Sequence, residues 1–96
     1  MKPLLSVIIV NFNGEKFLVN CVNSVKKYID CPHEIIIADN ASSDNSLALI
    51  KNKFPFVHII KNKTNVGFAA GNNIGVKFAR GDLILLLNND TQLATP

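Results

Sequence analysis

Four short aliphatic runs, each closed by an Asn, an Asp or a Lys, constrain this chain more than any other feature. Leu5-Ser6-Val7-Ile8-Ile9-Val10 is nearly continuous and rich in β-branched residues, and Asn11-Phe12-Asn13-Gly14 ends it. A run of that length with almost no polar alternation fits a strand buried on both faces, as in a parallel sheet. Glu34 to Asp39, Phe56 to Ile60 and Leu83 to Leu87 read as three further strands. The segments between them have helical spacing. From Glu15, apolar residues fall at Phe17, Leu18, Cys21, Val22, Val25, Tyr28 and Ile29, and the pattern stops near Asp30-Cys31-Pro32. Asn45 to Lys53 reads as a second helix, with Ser43 or Asp44 as its cap. Ala69 to Arg80 reads as a third, despite Gly71 and Gly75. The alternation β-α-β-α-β-α-β with short connections predicts an α/β fold: an open, mostly parallel sheet with helices on both faces. Residues 1–96 are expected to form a single domain.

Composition excludes several other classes. Hydrophobic residues make up 48% of the chain and charged residues 18%, so a core is affordable and disorder is not expected. Ten Lys and Arg against seven Asp and Glu give a net charge of +3. The basic residues are scattered and form no nucleic-acid-binding block; they imply only a mild bias toward anions such as phosphates. Cys21 and Cys31 are the two cysteines, with neither C-x-x-C nor metal-finger spacing. No disulfide or structural zinc is expected, and a reducing cytoplasm fits. The start, Met1-Lys2-Pro3 and then Leu4 to Val10, is interrupted by Asn11, Asn13 and Gly14 too early for a signal peptide. No apolar run approaches the roughly 18 residues that span a bilayer.

In an open α/β sheet, ligands bind beyond the carboxyl ends of the strands. Those ends carry Asn11-Phe12-Asn13, Asp39-Asn40, Lys61-Asn62 and Asn88-Asn89-Asp90. The rim lacks both G-x-x-x-x-G-K-[ST] and a G-x-G-x-x-G after the first strand, which argues against P-loop nucleotidases and dinucleotide-dependent dehydrogenases. A strand ending in Asp offers hard oxygen ligands to a divalent cation, which would neutralise a diphosphate. Asp39 could accept hydrogen bonds from a ribose or a base, and Phe12 could stack on a base. Each has a plainer reading as well: Asp39 and Asp90 as turn residues, Phe12 as core edge, Asp82 as a turn and Asp44 as a helix cap. His33 and His58 have no partner pattern, and Ser42-Ser43 lacks the G-x-S-x-G context of a nucleophile. The residues alone lead to an α/β domain that binds a nucleotide through a metal, or to a non-catalytic α/β nucleotide-binding or interaction module.

Taken together, four segments resemble family 2 glycosyltransferases, the inverting group with the GT-A fold. They are Ser6 to Gly14, Ile35 to Asp44, Asn65-Val66-Gly67-Phe68-Ala69-Ala70-Gly71-Asn72-Asn73-Ile74-Gly75, and Gly81 to Thr91 with its Leu87-Asn88-Asn89-Asp90 ending. The third and fourth look most like the rhamnosyltransferase-like branch. The resemblance implies a Rossmann-like nucleotide-binding half. Val10, Asn11 and Phe12 then stand where the family contacts the donor, and Asp39 where a carboxylate bonds the base. Gly67, Asn72 and Asn73 line the nucleotide pocket. Asn88, Asn89 and Asp90 occupy the D-x-D site, whose last Asp holds Mn²⁺ or Mg²⁺ on the diphosphate. Asn88 supplies no charge, which implies weaker metal affinity, and Asn72 stands where many members have a basic residue.

The implied activity is transfer of a sugar from a UDP- or dTDP-sugar to an acceptor hydroxyl of a saccharide, polysaccharide or glycolipid in cell-envelope synthesis. It would take place in the cytoplasm, at the inner face of the membrane in a longer protein. The acceptor half and the catalytic base are expected beyond Pro96. This chain is therefore expected to bind donor, weakly, and to transfer nothing on its own. Its open sheet edge is expected to let two copies associate.

Overall fold

The computed structural model describes residues 2–94, so Met1, Thr95 and Pro96, at the ends of the expected domain, lie outside the described residues. Seven elements follow the predicted order: β1 (Leu5–Asn11), α1 (Leu18–Tyr28), β2 (His33–Asp39), α2 (Ser46–Lys53), β3 (His58–Lys61), α3 (Phe68–Phe78) and β4 (Leu83–Asn88). The strands form one fully parallel sheet in the order β3-β2-β1-β4. The chain steps outward twice from β1, and α3 then returns it across the sheet. With right-handed crossovers, that reversal places α3 on the face opposite α1 and α2.

The alternation of side chains along the strands shows both faces. Val7, Ile9 and Leu87 pack with Leu18, Cys21, Val22, Val25 and Ile50 under α1 and α2. Ile8 and Val10 point the other way, toward α3. A Cβ on Gly75 would lie 2.5 Å from Ile8 Cγ2, and one on Gly71 3.0 Å from a Val10 methyl. The two glycines that weaken the helical pattern of α3 are thus the points where it lies closest to the sheet. β1 is buried on both faces, as its composition predicts.

Element boundaries shift for local reasons. α1 begins at Leu18 rather than Glu15, because the Phe17 and Leu18 N–H groups both turn back onto the Gly14 carbonyl, at 2.9 and 2.8 Å. β3 begins at His58 rather than Phe56, because Phe54 to Val57 form a turn that buries Phe54 and Val57 and exposes Phe56. α3 ends at Phe78, where Ala79 takes an extended conformation. At the amino ends of the strands, Glu34 pins the α3–β4 corner. It accepts the Ser6 hydroxyl at 2.6 Å, the Arg80 N–H at 2.6 Å and the Arg80 guanidinium at 3.2 Å. Both cysteines are free, Cys21 buried and Cys31 half-buried.

Candidate functional site

Strand register builds the rim at the carboxyl ends. Asn11 pairs with Asp39 and Val10 with Asn88, so three of the expected strand-end positions lie side by side. Asn11 is fully buried and its amide joins all three strands. Its Nδ2 lies 2.9 Å from Asp39 Oδ1, 3.0 Å from Ser46 Oγ and 3.2 Å from Ser42 Oγ, so two N–H groups serve three oxygens. Its Oδ1 accepts from Asn89 Nδ2 at 3.0 Å. Asp39 is 1% exposed, and its carboxylate also accepts the Ser42 N–H at 2.9 Å and the Ser42 hydroxyl at 2.7 Å. In this state Asp39 therefore anchors the loop that follows β2.

A second tier fastens the β1–α1 loop to the β2–α2 loop. Asn13 Oδ1 accepts the Ser43 N–H at 2.8 Å, and the Asn13 N–H donates to Ser42 Oγ at 2.9 Å. The cap of α2 is Asn45 rather than the expected Ser43 or Asp44, and from one residue earlier Asp44 accepts the Ser46 N–H and hydroxyl, and also the Glu15 N–H at 3.0 Å. Burial pushes the Asp44 carboxyl up, but the hydrogen bonds from Ser46 and Glu15 outweigh it and leave the group below its ordinary value. Asn13 and Ala41 sit at positive φ, 50° and 62°, where the two loops turn. Asn40 reaches the opposite side of the rim. Its Nδ2 donates to the Gly67 carbonyl at 3.1 Å and its Oδ1 accepts from Asn62 Nδ2 at 3.0 Å. Gly67, at φ 87°, starts α3 in a conformation that glycine adopts without strain, with open space where a side chain would stand.

Sequence reasoning missed Ser42, Ser46, Asn13 and Asn40 as clamps of the rim. The signal was the crowding of Asn, Ser and Asp just after two strands, since these side chains bond nearby backbone groups.

The remaining expected residues face outward or stand alone. Phe12 is 49% exposed, and Asn73, Asn88 and Asp90 are exposed. Asn72 is 5% exposed, and its Oδ1 is buried with no hydrogen-bond partner among the described residues. Val10 packs behind it against Gly71. Asp90 makes no hydrogen bond or ion pair among the described residues. Beneath it the Cys21 thiol is pushed up to about 11, first by burial and then by the Asp90 charge.

No group of three or more His, Cys, Asp or Glu among the described residues can hold a metal by itself. One unpaired carboxylate does fit a Mg²⁺ or Mn²⁺ ion that takes its other ligands from a diphosphate and water. A separate cleft of about 330 Å³ runs between α1 and residues 92–94, lined by Asn23, Lys27, Tyr28 and Gln92 among others. None of the expected site residues borders it. The chemistry-bearing groups are on the rim.

The model for "Glycosyl transferase family 2" matches residues 6–95. An uncharacterized glycosyltransferase of Haemophilus influenzae is 35% identical over 96% of this chain and 38% of its own length. The crystal structure of S. aureus TarS 1–349 in complex with UDP aligns with a TM-score of 0.82 at 28% identity, over 94% of this chain and 28% of that one. The Pyrobaculum calidifontis mannosyltransferase PcManGT, in complex with GDP-Man and Mn²⁺, aligns with a TM-score of 0.86 at 17% identity, over 99% and 30% of the two chains; at that identity the likeness is one of fold. The chain thus spans about a third of the length of each of these three proteins.

Proposed function

This chain belongs to glycosyl transferase family 2, and we propose that it forms the donor-binding part of an inverting, metal-assisted hexosyltransferase. The donor would be a UDP- or dTDP-sugar, and the acceptor a hydroxyl of a polysaccharide or glycolipid of the cell envelope. The acceptor groove and the base that deprotonates the acceptor would lie beyond Pro96, so this chain by itself would bind donor without transferring sugar. The reaction would run in the cytoplasm, at the inner face of the membrane. Among the described residues no helix is long and apolar enough to cross one.

The observation that carries this reading is the pairing of a free carboxylate with an open, pre-organised rim. Asp90 stands exposed, and unpaired among the described residues, beside a network that already holds Asn11, Asp39 and Asn89 in place. Phe12 offers an exposed ring for a base to stack on, and Gly67 leaves room for phosphates to approach the backbone. Asn73 and Asn88 supply neutral donors and acceptors, while Val10 and Asn72 support the pocket from behind. Asp90 would hold Mn²⁺ or Mg²⁺. A bound divalent cation supplies Lewis acidity, which stabilises a departing nucleoside diphosphate. TarS binding UDP supports a uridine nucleotide as the first ligand to try.

Thermal unfolding with UDP, dTDP and GDP, each with and without Mn²⁺, tests the reading. A ligand that binds only the folded chain raises the midpoint by mass action. The expected outcome is a metal-dependent rise with one nucleotide that disappears in Asp90→Ala. A cooperative transition that no nucleotide moves would overturn the donor role.

A further inference from the structure

We propose that Asn89 is a positioning residue: clamped to the buried Asn11 amide beneath Gly14, it aims the turn that presents Asp90 and sets that turn at a fixed spacing from Asp39. The inference rests on the reading of Asp90 as the metal-holding carboxylate. Asn89 then acts through Asp90 rather than on the donor.

Asp90 has no bond of its own to aim it. Its side chain makes no hydrogen bond or ion pair among the described residues, so the backbone of the turn decides where the carboxylate points. The turn follows β4 directly and closes on itself, with the Thr91 N–H donating to the Asn88 carbonyl at 3.0 Å. From below, the Cys21 thiol donates to the same carbonyl at 3.6 Å, a weak contact. Asn89 supplies the stronger tie. Among the described residues its side chain is the one in the turn 88–91 that hydrogen-bonds to the rest of the rim, through Nδ2 to Asn11 Oδ1 at 3.0 Å.

The tie has one possible polarity. Asn11 is fully buried, and its Nδ2 faces Asp39 Oδ1 at 2.9 Å and the hydroxyls of Ser46 and Ser42. Those hydroxyls already donate to Asp44 and Asp39, so toward Asn11 they can only accept. The Asn11 amide therefore cannot be turned round, and its Oδ1 requires a donor from the turn. Gly14 closes over the pair. A Cβ on Gly14 would overlap both Asn11 Oδ1 and Asn89 Nδ2. Gly14 does not have a positive φ, so a glycine is needed there for space and not for a left-handed backbone. One amide thus bonds Asp39 on β2 and the turn after β4 at once, and spaces the two carboxylates that a base and a cation would use. Groups that orient a metal's ligand are worth about 10–100-fold in metal affinity.

Titration of UDP into this chain, with and without Mn²⁺, tests the proposal in Gly14→Ala and Asn89→Ala. Gly14 is buried, so its added methyl meets neither donor nor cation; it drives the Asn89 side chain, the looser of its two neighbours, off Asn11. Asn89→Ala removes the same bond by deleting atoms from a half-buried turn residue, and so folds even where the wedge does not. The factor by which Mn²⁺ strengthens UDP binding is expected to fall about 10-fold in both variants, while Gly14→Ala binds UDP alone as the unaltered chain does. A purely structural role lowers the melting midpoint and leaves that factor as it was, and this result overturns the proposal. The Asn89 side-chain amide gives a readout that needs no metal: in the unaltered chain its bonded hydrogen is expected to exchange more slowly than those of exposed Asn88. Equal exchange at the two residues overturns the proposal and leaves the role of Asp90 standing. If Mn²⁺ has no effect on UDP binding in the unaltered chain, both fall.

Discussion

Asn72 is placed where a folded chain gains nothing from it. A buried oxygen without a donor costs about 1–3 kcal/mol, and among the described residues the Oδ1 of Asn72 is such an atom. Asn72→Leu is accordingly expected to stabilise the free chain by about 1 kcal/mol in urea denaturation while weakening nucleotide binding. Loss of stability would show that the amide serves the fold. Asp39 is the opposite case, since its carboxylate accepts three hydrogen bonds in a buried position. Asp39→Ala takes the acceptor from the Ser42 N–H and hydroxyl and one of three acceptors from the Asn11 amide, and is expected to cost about 2–3 kcal/mol by the same measurement. The two thiols should also separate. Cys21 is fully buried with its thiol pushed up to about 11, so it should resist alkylation at neutral pH until the chain unfolds, whereas half-buried Cys31 reacts in the folded state. That Asn11, Asp39 and Asn89 belong to the rim was legible from their places at strand ends. That Asp39 is occupied internally was not, because Ser42 lies within its reach only after the loop closes.

The corner held by Glu34 joins β1, β2 and the α3–β4 turn, and its charge state carries a pH dependence. Burial raises the Glu34 carboxyl, but hydrogen bonds from the Ser6 hydroxyl and from the Arg80 N–H and guanidinium together outweigh it, and the group ends below its ordinary value of 4.5. Asp44, at the start of α2, is lowered in the same way from 3.8. A carboxyl lower in the folded than in the unfolded chain contributes stability above the unfolded value, and that contribution is lost as pH falls through the folded one. Urea midpoints should therefore hold from neutral pH down to the upper edge of carboxylate titration and then drop, less steeply in Glu34→Gln. An equal drop in that variant would place the acid sensitivity elsewhere. The kind and order of every element were legible, since β-branched runs and 3.6-residue spacing alternate cleanly. The starts of α1 and β3 were not. Phe56 looks like a strand residue but lies in a turn, because burying Phe54 and Val57 on either side leaves it no place in the core.

For the whole molecule, one small core serves two unequal faces. α1 and α2 cover one face of the sheet and α3 covers β1 and β2 on the other, while Ile84 and Leu86 on β4 lie open. The sequence by itself determined the α/β class, the parallel sheet and the rim as the place of chemistry, because hydrophobic period and strand-end residues are local properties. Strand order, the side of the sheet on which α3 lies, and the division of labour between buried Asp39 and free Asp90 were decided only by the tertiary structure. These depend on which segments meet across long stretches of chain, and on whether a polar side chain finds a partner there before any ligand can.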